Sequence, residues 1–383
     1  MQATPPIWPI VRWPLLAAFL IFFLAAIPLD GQLAPGPQPP SSGRSQPSQQ
    51  TPPTKAESGA PPSAISVETS LVNLDVLVTD EDGRLLGGLK RGNFRLTDNG
   101  REQPITNFAP VNAPITIVML MEYSGMAYDY FAYKAASWGS DFLNHLEPED
   151  YVALVTYDMK PTVRVDFTRN KAQVRDTLGT LSYPSFREAN LFGAMLETLD
   201  RLERVRGKKS ILLITTGVNT FSAANFDDVR QRLREIDATV FCIGTAEAEY
   251  MAAESRGQYS SGSNLTYLQS KNQLDTFAKI TGGNAWFPRF QGELPSIFDS
   301  VAAVLRNQYR LGFSTPESMR DGKYHKLKVS IVGPGGKPLK VTDSKGKNRK
   351  VIVYAREGYV APKPSPGRQE RSGRELHNEE NIQ

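Results

Sequence analysis

The 383-residue chain is poor in the residues that usually carry chemistry: it has one cysteine, Cys242, and three histidines, His145, His325 and His377. A single thiol closes no internal disulfide, so no disulfide framework holds the fold. Cys242 lies in the apolar run 238–244, where it reads as a small buried hydrophobe. The histidines fall at a helix end, in a β stretch and in the C-terminal tail, and none has metal-ligand spacing to another His, Asp or Cys. The chain also lacks a G-x-S-x-G elbow, a phosphate-binding glycine loop and an H-E-x-x-H motif. Gly333-Pro334-Gly335-Gly336-Lys337 is rich in glycine, but no Ser or Thr follows the lysine, so it reads as a hairpin turn. Charge of one sign is not in excess either. Lys and Arg number 44 against 40 Asp and Glu, a formal net charge of +4, which does not point to nucleic acid. Glu122 or Asp158 acting as a lone base is the one catalytic reading left, and a non-enzymatic protein is expected.

Apolar residues form one long run. Arg12 precedes residues 13–29, an almost unbroken apolar stretch of the kind that directs export. Its length is at the lower edge of what crosses a bilayer. Trp8 and Trp13 stand where interfacial aromatics anchor such a segment. Pro28 and Asp30 spoil a cleavage site after Ala25-Ala26, and no cysteine follows for lipid attachment. Residues 1–30 are therefore expected to be a signal peptide or membrane anchor, with retention in the inner membrane favoured over cleavage and secretion. The protein is placed in the periplasm or cell envelope. Residues 31–64, rich in Pro, Ser, Gln and Gly, cannot bury enough apolar surface to offset their ordering entropy and are expected to be a disordered linker. The polar, charged tail 363–383 is read the same way.

Residues 65–113 alternate in the β manner. Val72, Leu74, Val76 and Val78 share one face, and Asp82-Gly83 and Asn99-Gly100 are turn dipeptides. Asp80-x-Asp82-Gly83 has the opening of a calcium loop without its closing Glu, so turn chemistry is preferred. From 114 to 306 apolar runs alternate with helix-period segments. Strands are expected at 115–121, 151–157, 210–215 and 239–244, with an antiparallel edge strand at 163–167. Helices are expected around Phe131, Ala135, Trp138 and Phe142, and at 191–204, 226–236, 274–281 and 294–306. Residues 252–267, rich in Ser, Gly and Tyr, read as a long loop and a second contact surface. β patterning returns at 309–313, 326–332 and 350–354, and 307–362 is expected to pair with 65–113. The fold class is α/β: a doubly wound, mostly parallel sheet with flanking β-structure in one sandwich. Lys337, Lys340, Lys345, Lys347, Arg349 and Lys350 read as a solvated β edge guarded by lysines.

In open α/β sheets ligands bind beyond the carboxyl ends of the strands. Two loops fall there, Glu122-Tyr123-Ser124-Gly125-Met126 and Thr216-Gly217-Val218-Asn219. At these residues the chain resembles a von Willebrand factor type A domain, in particular the von Willebrand A-related exported proteins of Acidobacteria. The likeness spans about residues 67–362 and includes the terminal Arg356-Glu357-Gly358-Tyr359. It implies a metal-ion-dependent adhesion site built from an Asp-x-Ser-x-Ser loop, a Thr and a distant Asp. Matched position by position, Glu122 replaces the first Asp, Ser124 is kept, and Met126 replaces the second Ser. Ala189 stands at the Thr position beside Asn190, and Thr216 stands for the distant Asp. Met126 and Ala189 offer no hard oxygen.

The expected function is thus a protein-interaction module, for adhesion or scaffolding, outside the cytoplasmic membrane. Its binding surface is expected on the loops 122–126, 186–190 and 216–219, with a degenerate ligand rim drawn from Glu122, Ser124, Asn190, Thr216 and Asn219. The alternative reading for Glu122 and Ser124 is a hydrogen-bonded loop in which Ser124 caps the following helix. No cofactor is expected, and at most a weakly held divalent cation. The partners are an unspecified protein and, through residues 13–29, the membrane. A metal-dependent adhesin with a non-standard Mg or Ca site and a structural envelope component are the alternatives.

Overall fold

A computed structural model of the chain divides into two units, residues 1–65 and 66–383. The residues it describes are 70–110, 114–125, 135–181, 183–184, 186–257, 261–315, 317–342 and 346–363. The expected anchor and linker lie outside them, as do the charged tail after Lys363, Met126 and Phe131. Among the described residues no helix is long and apolar enough to cross a membrane.

In chain order the strands and helices are β1 (Ser70–Asp80), β2 (Phe94–Asp98), β3 (Arg101–Gln103), β4 (Asn107–Pro110), β5 (Ile115–Glu122), α1 (Ala135–Asn144), β6 (Tyr151–Tyr157), β7 (Pro161–Thr168), α2 (Lys171–Gly179), α3 (Leu191–Glu203), β8 (Lys208–Thr215), α4 (Phe226–Glu235), β9 (Thr239–Gly244), α5 (Ala246–Ser255), α6 (Ser261–Thr281), β10 (Ala285–Trp286), α7 (Leu294–Arg306), β11 (Tyr309–Thr315), β12 (Tyr324–Ile331), β13 (Val341–Thr342), β14 (Asn348–Arg349), β15 (Val351–Ala355) and β16 (Gly358–Val360). A six-stranded sheet runs β10-β9-β8-β5-β6-β7 and is parallel except for β7. All eight residues of β5 are buried, as a parallel strand covered on both faces requires. Ile115, Ile117, Met119 and Met121 face a core shared with Trp138 and Phe142 of α1 and Phe298 of α7. Val118 and Leu120 face the opposite core, with Met195 of α3 and Phe277 of α6.

The segments before and after this α/β part close one sandwich. β1 is hydrogen-bonded to β11 on one side and β15 on the other, and β4 completes that sheet. The facing sheet is β16-β12-β2-β3. Leu74, Val76, Phe94, Leu96, Leu311 and Phe313 fill the space between them. At the β2–β3 hairpin Asn99 (φ 47°) and Gly100 (φ 82°) both take the left-handed conformation, the turn this dipeptide favours. Asp80 Oδ1 accepts the N–H groups of Asp82 and Arg84, so the calcium-like opening is a self-capped turn.

Two segments depart from expectation. Much of 252–267 is helical: α5 runs to Ser255, and α6 starts at Ser261, 13 residues before the helix read from apolar spacing. Hydroxyl side chains hide this helix in the sequence. Thr266, Ser270 and Thr276 each bond the carbonyl four residues back, which removes their competition with helical backbone. The unforeseen α2 starts at Asn170, whose side chain accepts the Gln173 N–H.

The Arg356-Glu357-Gly358-Tyr359 segment joins the sandwich to the α/β part. The buried Arg356 guanidinium donates to Gly358 O at 2.8 Å, to Arg234 O at 3.1 Å and to Ile236 O at 3.3 Å, and lies 3.6 Å from Asp237. It therefore caps the carboxyl end of α4. A Cβ on Gly358 would stand 2.2 Å from the His325 carbonyl oxygen, so only glycine fits. Tyr359 donates to Asp98 Oδ2 at 2.8 Å, and His325 Nδ1 lies 2.9 Å from Asp98 Oδ1. Arg356→Ala leaves three carbonyls without this donor and is expected to cost about 3 kcal/mol in urea unfolding. Arg356→Lys recovers little of it, because one ammonium does not span the three acceptors.

Lys208 is also buried at this junction. Its ammonium donates to Leu305 O at the end of α7 at 2.5 Å. Burial draws its pKa from 10.5 down to about 8, with Asp75 opposing part of the shift. Between those two values the unfolded chain keeps a proton that the folded chain has released, so stability rises with pH across the window. Below pH 8 the full penalty applies. Urea titrations from pH 7 to 11 are expected to show wild type gaining on Lys208→Met between pH 8 and 10.5, and parallel curves would refute the assignment.

Candidate functional site

The chain leaves β5 toward β6 on one side and later returns through β8 on the other, so their carboxyl ends flank a topological switch point. Glu122, the last residue of β5, is 1% exposed and Ser124 is fully buried. Oε1 of Glu122 accepts the Ser124 hydroxyl at 2.7 Å. Oε2 accepts the Thr215 hydroxyl at 2.8 Å, the Thr216 hydroxyl at 2.8 Å and the Thr216 N–H at 2.7 Å. A buried carboxylate without such donors costs several kcal/mol or takes up a proton. Here three hydroxyls and an amide surround it.

The Thr215 hydroxyl proton is committed to Glu122, so the Tyr157 hydroxyl 2.7 Å away must be the donor to Thr215 Oγ1. A directed chain runs from Tyr157 through Thr215 to Glu122. Burial, and then the nearby Glu122 charge, hold the Tyr157 phenol well above its ordinary range. The Gly217 N–H also donates to Thr215 Oγ1 at 2.8 Å. The ends of β5, β6 and β8 are thus tied by side chains as well as by the ladder.

Sequence reasoning grouped five residues as a rim, and the structure separates them. Glu122, Ser124 and Thr216 meet, but as a buried floor. Asn190 caps α3 by accepting the Gly193 N–H at 2.9 Å, and its Nδ2 donates to Met159 O at 3.0 Å. Asn219 accepts the Phe192 N–H at 3.2 Å. These two amides brace the loops after β6 and β8 against α3. Ala189 is buried, its N–H donates to Thr220 Oγ1 at 2.8 Å, and its carbonyl accepts the Thr220 and Phe221 N–H groups. The helical start expected to be capped by Ser124 continues into residues outside those described.

A metal-ion-dependent adhesion site does not fit this donor set. Glu122 is the one carboxylate, it already accepts four hydrogen bonds, and the Ala189 side chain has no oxygen. Among the described residues no group of three or more His, Cys, Asp or Glu is placed to hold a metal. Asp158, the other candidate base, accepts its own turn's Lys160 N–H. Cys242 is fully buried in β9, and desolvation holds its thiol far above the reactive range.

Exposed apolar side chains surround this floor: Phe186 and Leu265 fall on segments that the sequence already offers as contact surfaces, whereas Tyr183, Phe221, Met251, Leu268 and Phe290 lie outside them. Tyr183, Phe186 and Phe221 lie on the loops flanking it, exposed to 63%, 48% and 50%. The Gly125 N–H bonds Phe186 O at 2.7 Å, which fixes that loop over the end of β5. Met251 follows the end of β9 on α5, and Phe290 follows the end of β10. α6 returns from this end toward the start of β9, where Gly283 meets the Val240 carbonyl. At about 1.5 Å per residue its 21 residues outreach the six of β9, so exposed Leu265 and Leu268, in its first half, stand beyond the strand ends. Among the described residues, seven of the eleven exposed large apolar side chains therefore share one end of the sheet. An aromatic between turn formers, as in Ser-Tyr-Pro-Ser-Phe or Asn-Thr-Phe-Ser, was the available signal.

The sequence model of the von Willebrand factor type A domain matches residues 116–279, and this part of the chain is such a domain. No curated protein matches the chain. Among solved structures it is similar to the conserved hypothetical protein BatB from Bacteroides thetaiotaomicron (14% identity, 51% of this chain and 100% of that one, TM-score 0.38). It is similar to the vWF domain of the type V pili tip protein Mfa5 from Porphyromonas gingivalis (14%, 51% and 96%, 0.35) and to a von Willebrand factor type A protein from Catenulispora acidiphila (11%, 78% and 76%, 0.39). These likenesses concern the fold and do not reach the Acidobacterial branch.

Thr215→Val removes a donor from Glu122 and the acceptor of the Tyr157 hydroxyl together, and is expected to cost about 2–4 kcal/mol. Tyr157→Phe removes a donor alone and is expected to cost about 1 kcal/mol. Equal losses for the two variants in urea unfolding would overturn the direction assigned to the chain.

Proposed function

We propose that the chain is a non-enzymatic protein-interaction module displayed outside the cytoplasmic membrane, which binds its partner through the apolar rim of its von Willebrand factor type A domain without a metal ion. The concentration of exposed Tyr183, Phe186, Phe221, Met251, Leu265, Leu268 and Phe290 at one end of the sheet carries this reading. Exposed apolar side chains gathered at one end of a domain mark interaction sites, where aromatic residues dominate the binding energy. The buried floor keeps the rim rigid and takes no part in contact. Export rests on the apolar run 13–29, with Arg12 before it. A metal-dependent adhesin is disfavoured by the single, saturated carboxylate.

A photo-cross-linking residue at Phe221, in the full chain in native membranes, is expected to yield an adduct with an envelope protein, whereas one at Tyr151, at the opposite end of the sheet, yields none. Phe186→Ser should abolish the adduct with little change in melting temperature, and a chelator should leave it intact. Loss on chelation with recovery in Mg²⁺ would establish the metal-dependent alternative.

A further inference from the structure

The sandwich carries a second feature, far from the rim in the chain. Residues 324–350 hold eight Lys and Arg against one acid, Asp343. Arg349 is engaged by Glu81 at 3.3 Å and Asp82 at 3.1 Å. Lys340 and Lys350 are exposed and form no ion pair with any described residue. Both line a groove of about 490 Å³, a volume ordinary for a small-molecule site.

The groove opens between the two sheets. β15 is the edge strand of its sheet, paired to β1 alone, while β12 belongs to the facing sheet. No ladder joins β12 to β15, and residues 338–340 and 348–350 of the segment between them complete the lining of the groove. Val329, Ile331, Leu339, Val351 and Val353 line it, all except Ile331 half-buried at the margin of the sandwich core. Ser330, Asn348, Lys340, Arg349 and Lys350 supply its polar lining. An apolar lining continuous with the core, with two ammonium groups that pair with no described acid, complements a molecule that is apolar along its length and anionic at one end.

We propose that this groove binds a single long-chain carboxylate, with the alkyl chain against Val329, Leu339, Val351 and Val353 and the carboxylate on Lys340 and Lys350. One groove with two cations matches one chain and one headgroup.

The probe is a photoreactive palmitate analogue, added to the full chain in nanodiscs of neutral phosphatidylcholine and mapped by peptide analysis. Labelling is expected within residues 329–339 and 348–353, with at least about tenfold loss in the Lys340→Glu, Lys350→Glu double variant at unchanged melting temperature. The methyl ester of the probe should label as weakly as that variant. Lys326→Glu with Lys328→Glu, exposed on β12 outside the groove, should leave labelling intact. Labelling indifferent to headgroup charge overturns the proposal, as does equal loss from the Lys326 and Lys328 pair, which would mean a general anionic surface contact such as a bilayer.

Discussion

Glu122 must be satisfied without water or a cation from the protein, and the geometry of the rim follows from how that is done. Its carboxylate sits at 1% exposure at the end of the central strand, where an unpaired charge would be prohibitive. Two successive threonines at the end of β8 and the serine after β5 supply the donors. Each bond draws a neighbouring strand end toward β5, and the Tyr157 hydroxyl extends the tie to β6. The loops that leave these strands then start from fixed points. Asn190 and Asn219 spend their amides on holding those loops to α3. The three loops are organised by these hydrogen bonds.

The same economy holds at the opposite end of the sheet and at the sandwich. Buried cations there are placed where carbonyls accumulate: Arg356 at the end of α4 and Lys208 at the end of α7. Helix carboxyl ends attract positive charge, and the two side chains add donors to those that the Ile236 and Asn307 N–H groups already supply. The sandwich and the α/β part are consequently one packed body at this junction, with Leu77 and Tyr354 of the sandwich sheet joining the core of the α/β part. The rim gathers most of the large apolar side chains exposed among the described residues.

Much of the architecture was legible in the sequence. The limits of β6, β9 and α7 follow from continuous apolar runs and a 3.6-residue period, signals that depend on local order alone. The pairing of the flanking β segments followed from their common alternation. α6 escaped because its hydroxyl-rich first half lacks an apolar stripe, and it is held in part by Tyr250 stacked on Tyr267 at 4.6 Å, a contact between two helices. The rim residues were mistaken for surface because a sequence position beyond a strand end does not say whether its side chain turns outward.

By itself the sequence determined the fold class and the poverty of the metal-binding set, because whether position 189 has a side-chain oxygen is a property of alanine and needs no geometry. Only the tertiary structure decided that Glu122 is sealed, that Asn190 and Asn219 act as braces, and that the exposed aromatics gather at one end. Burial and hydrogen-bond pairing are set by groups far apart in the chain, such as Glu122 and Thr216, and no local pattern encodes which of them will meet.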